Sequence, residues 1–145
     1  KIREKIADNS ALYFKYLVQS GDTPESIAYR HFGSQHLHWV ILLTNNITDR
    51  YYGWPLDDQS FEEYVNTKYT NPGAVHHYEK TQSSGVTTSS DYSHLIEVNS
   101  TESGASSVSN YEYERRLQDA KREIKLLDKK YLPIFIEEFQ RKISL

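Results

Sequence analysis

Apolar residues fall along the chain in three distinct rhythms. The run Tyr13-Phe14-Lys15-Tyr16-Leu17-Val18 is rich in aromatic and branched side chains and predicts a strand. Ser20-Gly21-Asp22-Thr23-Pro24 then punctuates the chain as a turn leading into a helix. Asp22 or Thr23 can cap the first N–H groups, and Pro24 suits the first helical position. Through Glu25–Phe32 the spacing becomes helical, with Ile27 over His31 and Ala28 over Phe32, and Gly33 ends the element. A second helix is predicted over Ser34–Thr44, apolar nearly all round at Trp39-Val40-Ile41-Leu42-Leu43, with Asn45-Asn46 as its stop. An aromatic loop follows over Ile47–Leu56. Asp57, Asp58 or Ser60 then starts a third helix, with Ser60 and Glu63 at capping-box spacing and Phe61, Tyr64, Val65 and Tyr69 on its inner face.

Beyond the turn at Asn71-Pro72-Gly73 the pattern weakens. Between Thr81 and Asn110, 14 of 30 residues are Ser or Thr, the composition of a linker. Three strand-like runs interrupt it, at Ala74–Lys80, Tyr92–Val98 and Asn110–Glu114. These predict a β-meander with two long polar loops; a disordered tether is the alternative. Pro133 fixes where the last helix can begin, and Leu132, Ile136, Phe139 and Ile143 form its apolar stripe. Residues 121–127 fit a strand by alternation and a helix by the spacing of Leu117, Ala120, Ile124 and Leu127. The expected class is α+β, in three consecutive segments. Residues 1–70 hold an N-terminal arm and a βαα module, 71–114 the meander, and 115–145 a basic stretch and helix.

Composition removes several function classes. The net charge of -3 over 145 residues gives no basic footprint for nucleic acid. There is no cysteine, which excludes disulfides, thiolate metal sites and a cysteine nucleophile. No apolar run approaches the roughly 18 residues that span a bilayer. Lys at position 1 and the absence of Met imply a processed or trimmed chain, or an ordered part of a longer one. Tyrosine is abundant, with 12 residues; it suits surfaces that are half core and half contact, and equally suits strands.

Candidate chemistry is sparse. His36 and His38 would diverge on a helix, and His76 and His77 would face opposite sides of a strand, so neither pair is expected to converge on a metal. Asp57-Asp58, Glu62-Glu63 and Glu137-Glu138 are adjacent in sequence, as capping or solvated residues are, and nothing sets two carboxylates across a cleft. No nucleophile elbow, phosphate-binding loop or dinucleotide fingerprint is present. The expectation is a protein without catalytic residues, cofactor or metal. Tyr51-Tyr52-Gly53-Trp54-Pro55 is the most unusual stretch, readable as a lid on the core, a protein interface or a sugar platform.

Two resemblances sharpen this reading. Tyr16-Leu17-Val18-Gln19-Ser20-Gly21-Asp22-Thr23, then Ile27-Ala28, then Leu42-Leu43-Thr44-Asn45-Asn46-Ile47, resembles the LysM module, whose fold is βααβ and many of whose members bind N-acetylglucosamine glycans such as peptidoglycan. That resemblance implies a glycan groove at Gly21, Asp22, Thr23, Asn46 and Ile47. Pro24 departs from the usual Leu, and Tyr51–Leu56 stands in place of the closing strand. A second resemblance covers most of the chain. The helix around Leu37-His38-Trp39-Val40 and the run Asp49-Arg50-Tyr51-Tyr52-Gly53-Trp54 are similar to the gene 53-type baseplate wedge proteins of T-even-like contractile-tailed bacteriophages, which carry a LysM-like segment. It implies a structural role in the tail baseplate of the virion, with assembly in the host cytoplasm. The implied partners are other wedge proteins in a sixfold hetero-oligomer, with no nucleic acid and no membrane. Candidate interface residues are Trp39, Tyr51, Tyr52, Trp54, Phe135 and Phe139. The resemblance also implies a chain shorter than its fullest relatives at the N-terminus.

Overall fold

The computed structural model describes residues 11–82 and 94–144. The N-terminal arm expected before the Tyr13–Val18 strand lies almost wholly outside this range. The class is α+β, as expected. By contacts the chain forms two units, one within residues 1–57 and 121–145, the other within 58–120. The three consecutive segments of the sequence reading therefore give way to one discontinuous unit and one continuous one.

The first unit opens with β1 (Tyr13–Leu17). Helix α1 (Pro24–Phe32) follows; Thr23 and Ser26 cap each other reciprocally, and Gly33 closes the helix in the left-handed region at φ 83°. A 3-10 turn (Gln35–Leu37) leads into α2 (His38–Thr44), so the second predicted helix is split. The aromatic loop contains the one-turn helix α3 (Arg50–Gly53). The unit is completed by β5 (Glu123–Leu127), a 3-10 turn (Lys129–Tyr131) and α6 (Leu132–Ile143). β5 lies antiparallel to β1, pairing Tyr13 with Leu127 and Leu17 with Glu123. Two helices thus lie in sequence after a strand whose partner arrives from the far end of the chain.

Aliphatic packing holds this unit together. Val18, Ile27, Ala28, Phe32, Val40, Ile41, Trp54, Ile124, Leu126 and Leu127 form one buried cluster, flanked by Tyr13, Leu37, Ile47, Leu132 and Phe135. The alternation of β5 puts Ile124 and Leu126 inside, with Leu127 buried beside them. Asn45 closes its outer edge: the amide Nδ2 donates to Lys125 O at 2.9 Å, and Oδ1 accepts from Lys125 N at 2.8 Å. One side chain so does what a third strand would do for the backbone groups of Lys125. Arg122, buried, donates to Val18 O at 3.3 Å and Leu56 O at 3.2 Å.

The second unit contains α4 (Asp58–Lys68), β2 (Val75–Thr81), β3 (Leu95–Val98), β4 (Ser106–Ser109) and most of α5 (Asn110–Arg122). Helix α4 starts at Asp58, so Ser60 and Glu63 lie inside it and do not mark its beginning. The sheet is antiparallel with the order β3-β2-β4, so β2 is central. A meander would have put β3 there; the short link from β3 to β4 instead carries the chain to the opposite edge. Asn110–Glu114, expected as a strand, is the first part of α5. Its Tyr/Glu alternation over four residues is too short to fix a period, and Ser109 Oγ accepts from Glu112 N at the helix start. Residues 121–127 are both of their alternatives, helix to Arg122 and strand from Glu123.

Buried charge organises this second unit. Among the described residues, Phe61, Val65 and Val108 are its buried hydrophobic side chains. Beside them Glu114, 2% exposed, accepts from Lys68 Nζ at 2.6 Å and Tyr69 Oη at 2.7 Å. Glu79, 7% exposed, accepts both terminal nitrogens of Arg116 at 2.9 Å. The Arg116 fork, outweighing burial, holds the Glu79 carboxyl below its ordinary pKa. For Glu114, burial acts to raise the pKa, and the bonds from Lys68 and Tyr69 outweigh it and hold it low.

Candidate interaction surface

A cleft of about 180 Å³ opens in the first unit between the loop before α1 and the segment around α3. One wall is Gly21, Asp22, Thr23 and Pro24; the other runs from Arg50 and Tyr51 to Trp54–Asp57. Three of the five groove candidates, Gly21, Asp22 and Thr23, line it. Asn46 and Ile47 do not. Asn46 takes φ 54° to turn the chain after α2, and Ile47 packs against the core.

Asp22 is a joint between elements. Its carboxylate accepts from Tyr16 Oη at 2.7 Å and Gln19 N at 3.0 Å, and pairs with Arg30. Burial works to raise its pKa; the Tyr16 hydroxyl, the Gln19 N–H and the Arg30 guanidinium together bring it below the usual carboxylate value. Both oxygens are thereby engaged in tying β1, the turn and α1 together.

The aromatic stretch divides by position. Asp49 caps α3 by accepting from Tyr51 N at 2.9 Å and Tyr52 N at 3.3 Å. Trp54 is 8% exposed and belongs to the core, and its indole N–H donates to Asp22 O at 2.8 Å. It is a lid, not an exposed anchor. Tyr51 and Tyr52 point outward, 85% and 80% exposed. Lys121 Nζ donates to Tyr52 O at 2.7 Å and Arg50 pairs with Glu25, which fix the helix that presents the two rings. Gly53 is required by close approach: a Cβ there would lie 2.6 Å from Ile47 Cγ2. The Gly in the Asp-x-Tyr-Tyr-Gly-Trp run is therefore steric in origin.

Trp39 meets both Phe135 and Phe139. The Trp39 ring lies 6.2 Å from Phe135 and 4.6 Å from Phe139, centroid to centroid. Leu132, Ile136 and Phe139 of the predicted stripe are half-buried, as is Phe135 beside them, so the stripe holds until its last member, Ile143. Ile134 and Ile143 are left exposed. Among the described residues no group of three or more His, Cys, Asp or Glu side chains could hold a metal ion. No helix among them is long and apolar enough to cross a membrane.

The model of the family described as base plate wedge protein 53 matches residues 4–87 of this 145-residue chain. The chain belongs to that family. The baseplate wedge protein gp53 of Enterobacteria phage T4 is 33% identical over 58 residues, 40% of this chain. The match spans only 30% of the length of that relative. The family match takes in the cleft, α3 with its two exposed tyrosines, α4 and β2. It stops short of β5 and α6, so the strand that closes the first unit and the rings that cover Trp39 lie beyond it.

Several residues that shape this surface escaped sequence reasoning. Asn45 read as a helix stop, yet it is the edge cap of β5. Arg122 read as one basic residue among several, yet it is buried. Nothing local marks either; the signal is their partnership with residues far away in sequence.

Proposed function

We propose that this chain is a non-enzymatic structural component of a phage tail baseplate wedge, joining neighbouring wedge subunits during assembly. Its partners are other wedge proteins in a sixfold hetero-oligomer. It is assembled in the host cytoplasm and resides in the virion. The supporting observation is α3: two tyrosines almost fully exposed, on a helix fixed from below by Trp54, Gly53, Lys121 and Asp49. A rigid, exposed aromatic pair is the composition of an interface anchor. The antiparallel pair β1–β5 with α1 and α2 between supports reading the first unit as a LysM-like βααβ module used as a rigid block. The test is wedge reconstitution with a Tyr51→Ala/Tyr52→Ala variant, followed by sedimentation. The variant should fold and stay out of the wedge; incorporation at the wild-type level would overturn the reading.

A peptidoglycan-binding role is the second reading, favoured by the cleft beside Gly21–Pro24. Asp22 is a poor probe of it, because its loss loosens the fold. Thr23→Ala and Tyr51→Ala on an insoluble-peptidoglycan pull-down are the better test. Retention by the wild type that either variant abolishes would favour glycan binding.

A further inference from the structure

We propose that His76 and His77 form a two-histidine chelate for a divalent transition-metal ion of the Ni2+ or Cu2+ class. Adjacent strand residues ordinarily point to opposite faces. Here the pairing of β2 with β4 shifts between Val75 and His77, so that Val75 faces Ser109 and His77 faces Val108. His76 is the extra residue of a β-bulge, and a bulge re-aims a side chain. The two Nδ1 atoms end 2.9 Å apart. Two imidazole nitrogens bound cis to one ion, at about 2.05 Å each and about 90°, would be separated by about 2.9 Å. A tetrahedral ion would want them nearer 3.3 Å apart, so the spacing matches tetragonal Ni2+ or Cu2+ better than Zn2+.

Both rings are held in place. His76 stacks on Tyr113, centroids 3.8 Å apart and planes 11° from parallel. His77 meets the same tyrosine edge-on at 6.0 Å. His77 Nε2 lies 3.4 Å from Glu79 Oε2, and Glu79 is itself held by Arg116, which also pairs with Glu112. A carboxylate behind the far nitrogen is the outer-shell partner that fixes a metal-binding histidine in the right tautomer. With the His77 proton on Nε2, its Nδ1 presents a lone pair toward His76. A proton shared between the rings satisfies one such lone pair. A cation satisfies both, with the His76 proton moved to Nε2. His76 is exposed, so water can fill the remaining positions. His36 and His38 offer no such pair: His38 Nδ1 is bonded to Gln35 O.

The test is calorimetric titration of the full chain with Ni2+, alongside imidazole nitrogen NMR. One ion should bind, with both Nδ1 signals shifting. His76→Ala and His77→Ala should each weaken binding by about tenfold or more, and Glu79→Gln by about tenfold. His36→Ala should change nothing. His76→Ala removes an exposed side chain, so its circular dichroism should match wild type and separate lost ligation from lost fold. Absence of Ni2+ binding by the wild type, equal binding by His76→Ala, or coordination through Nε2 would each overturn the proposal.

Discussion

The two units solve the same problem by opposite means. Among its described residues the first buries ten apolar side chains in one cluster and uses polar groups to fasten backbone at its margins. Among its described residues the second buries three apolar side chains and two carboxylates, each carboxylate satisfied by a cation and, at Glu114, by tyrosine. Apolar burial is insensitive to pH and forgiving of small shifts in geometry. Buried carboxylates are neither, because losing one partner strands the other. A Ser- and Thr-rich sequence has little else from which to make a core.

The comparison can be broken at several points. Ile41→Ala should cost the first unit about 4 kcal/mol, equally at pH 5 and pH 8, as read by amide exchange of α1, α2 and β5. Glu79→Ala should cost the second unit about 3 kcal/mol by leaving Arg116 without its main carboxylate. A loss under about 1 kcal/mol, the size of an exposed pair, would show that buried charge is not what holds the unit. Gly53→Ala should cost about 2 kcal/mol through the clash with Ile47, with the loss relieved when Ile47→Ala is added. Tyr52→Ala should stay within about 0.5 kcal/mol of wild type in denaturant melts.

Acid sharpens the contrast. Glu79 and Glu114 have folded-state pKa values below their unfolded ones. Their stabilisation is therefore complete above the ordinary glutamate value of about 4.3 and is lost as pH falls below it through the folded values. Amide protection in β2 and α4 should fall in that window while β5 and α2 stay protected. Asp22 titrates in the same direction but is one joint in an otherwise apolar unit. Simultaneous loss in both units would defeat the distinction.

The same contrast explains what could be read from sequence. In the first unit the pattern of Ile27, Ala28, Val40 and Ile41 marks helices, and Thr23, Pro24 and Gly33 mark their ends, because each signal is local. β5 could not be placed, since its partner is β1, more than a hundred residues earlier. The second unit was half legible. Phe61 and Val65 give α4, but the sheet is tied to α5 by Glu79 and Arg116, and α4 to α5 by Lys68 and Glu114, residue types that normally read as solvated surface. The bulge that brings His76 to His77 is a matter of register, which alternation alone does not encode. In the candidate interface stretch Tyr51–Pro55, the division into a buried Trp54 and exposed Tyr51 and Tyr52 was not legible from the sequence.

The antiparallel ladder of Tyr13 with Leu127 sets an order of events. A nascent chain emerging from the ribosome exposes β1, α1 and α2 long before β5 is made. The first unit must wait with Ile27, Val40 and Ile41 unsealed until the residues after Arg122 appear. The second unit, whose strands are close in sequence, has no such delay. A fragment cut where the family match ends would carry that unsealed state permanently, and should bind a hydrophobic dye until a peptide spanning Glu123–Ile143 is supplied.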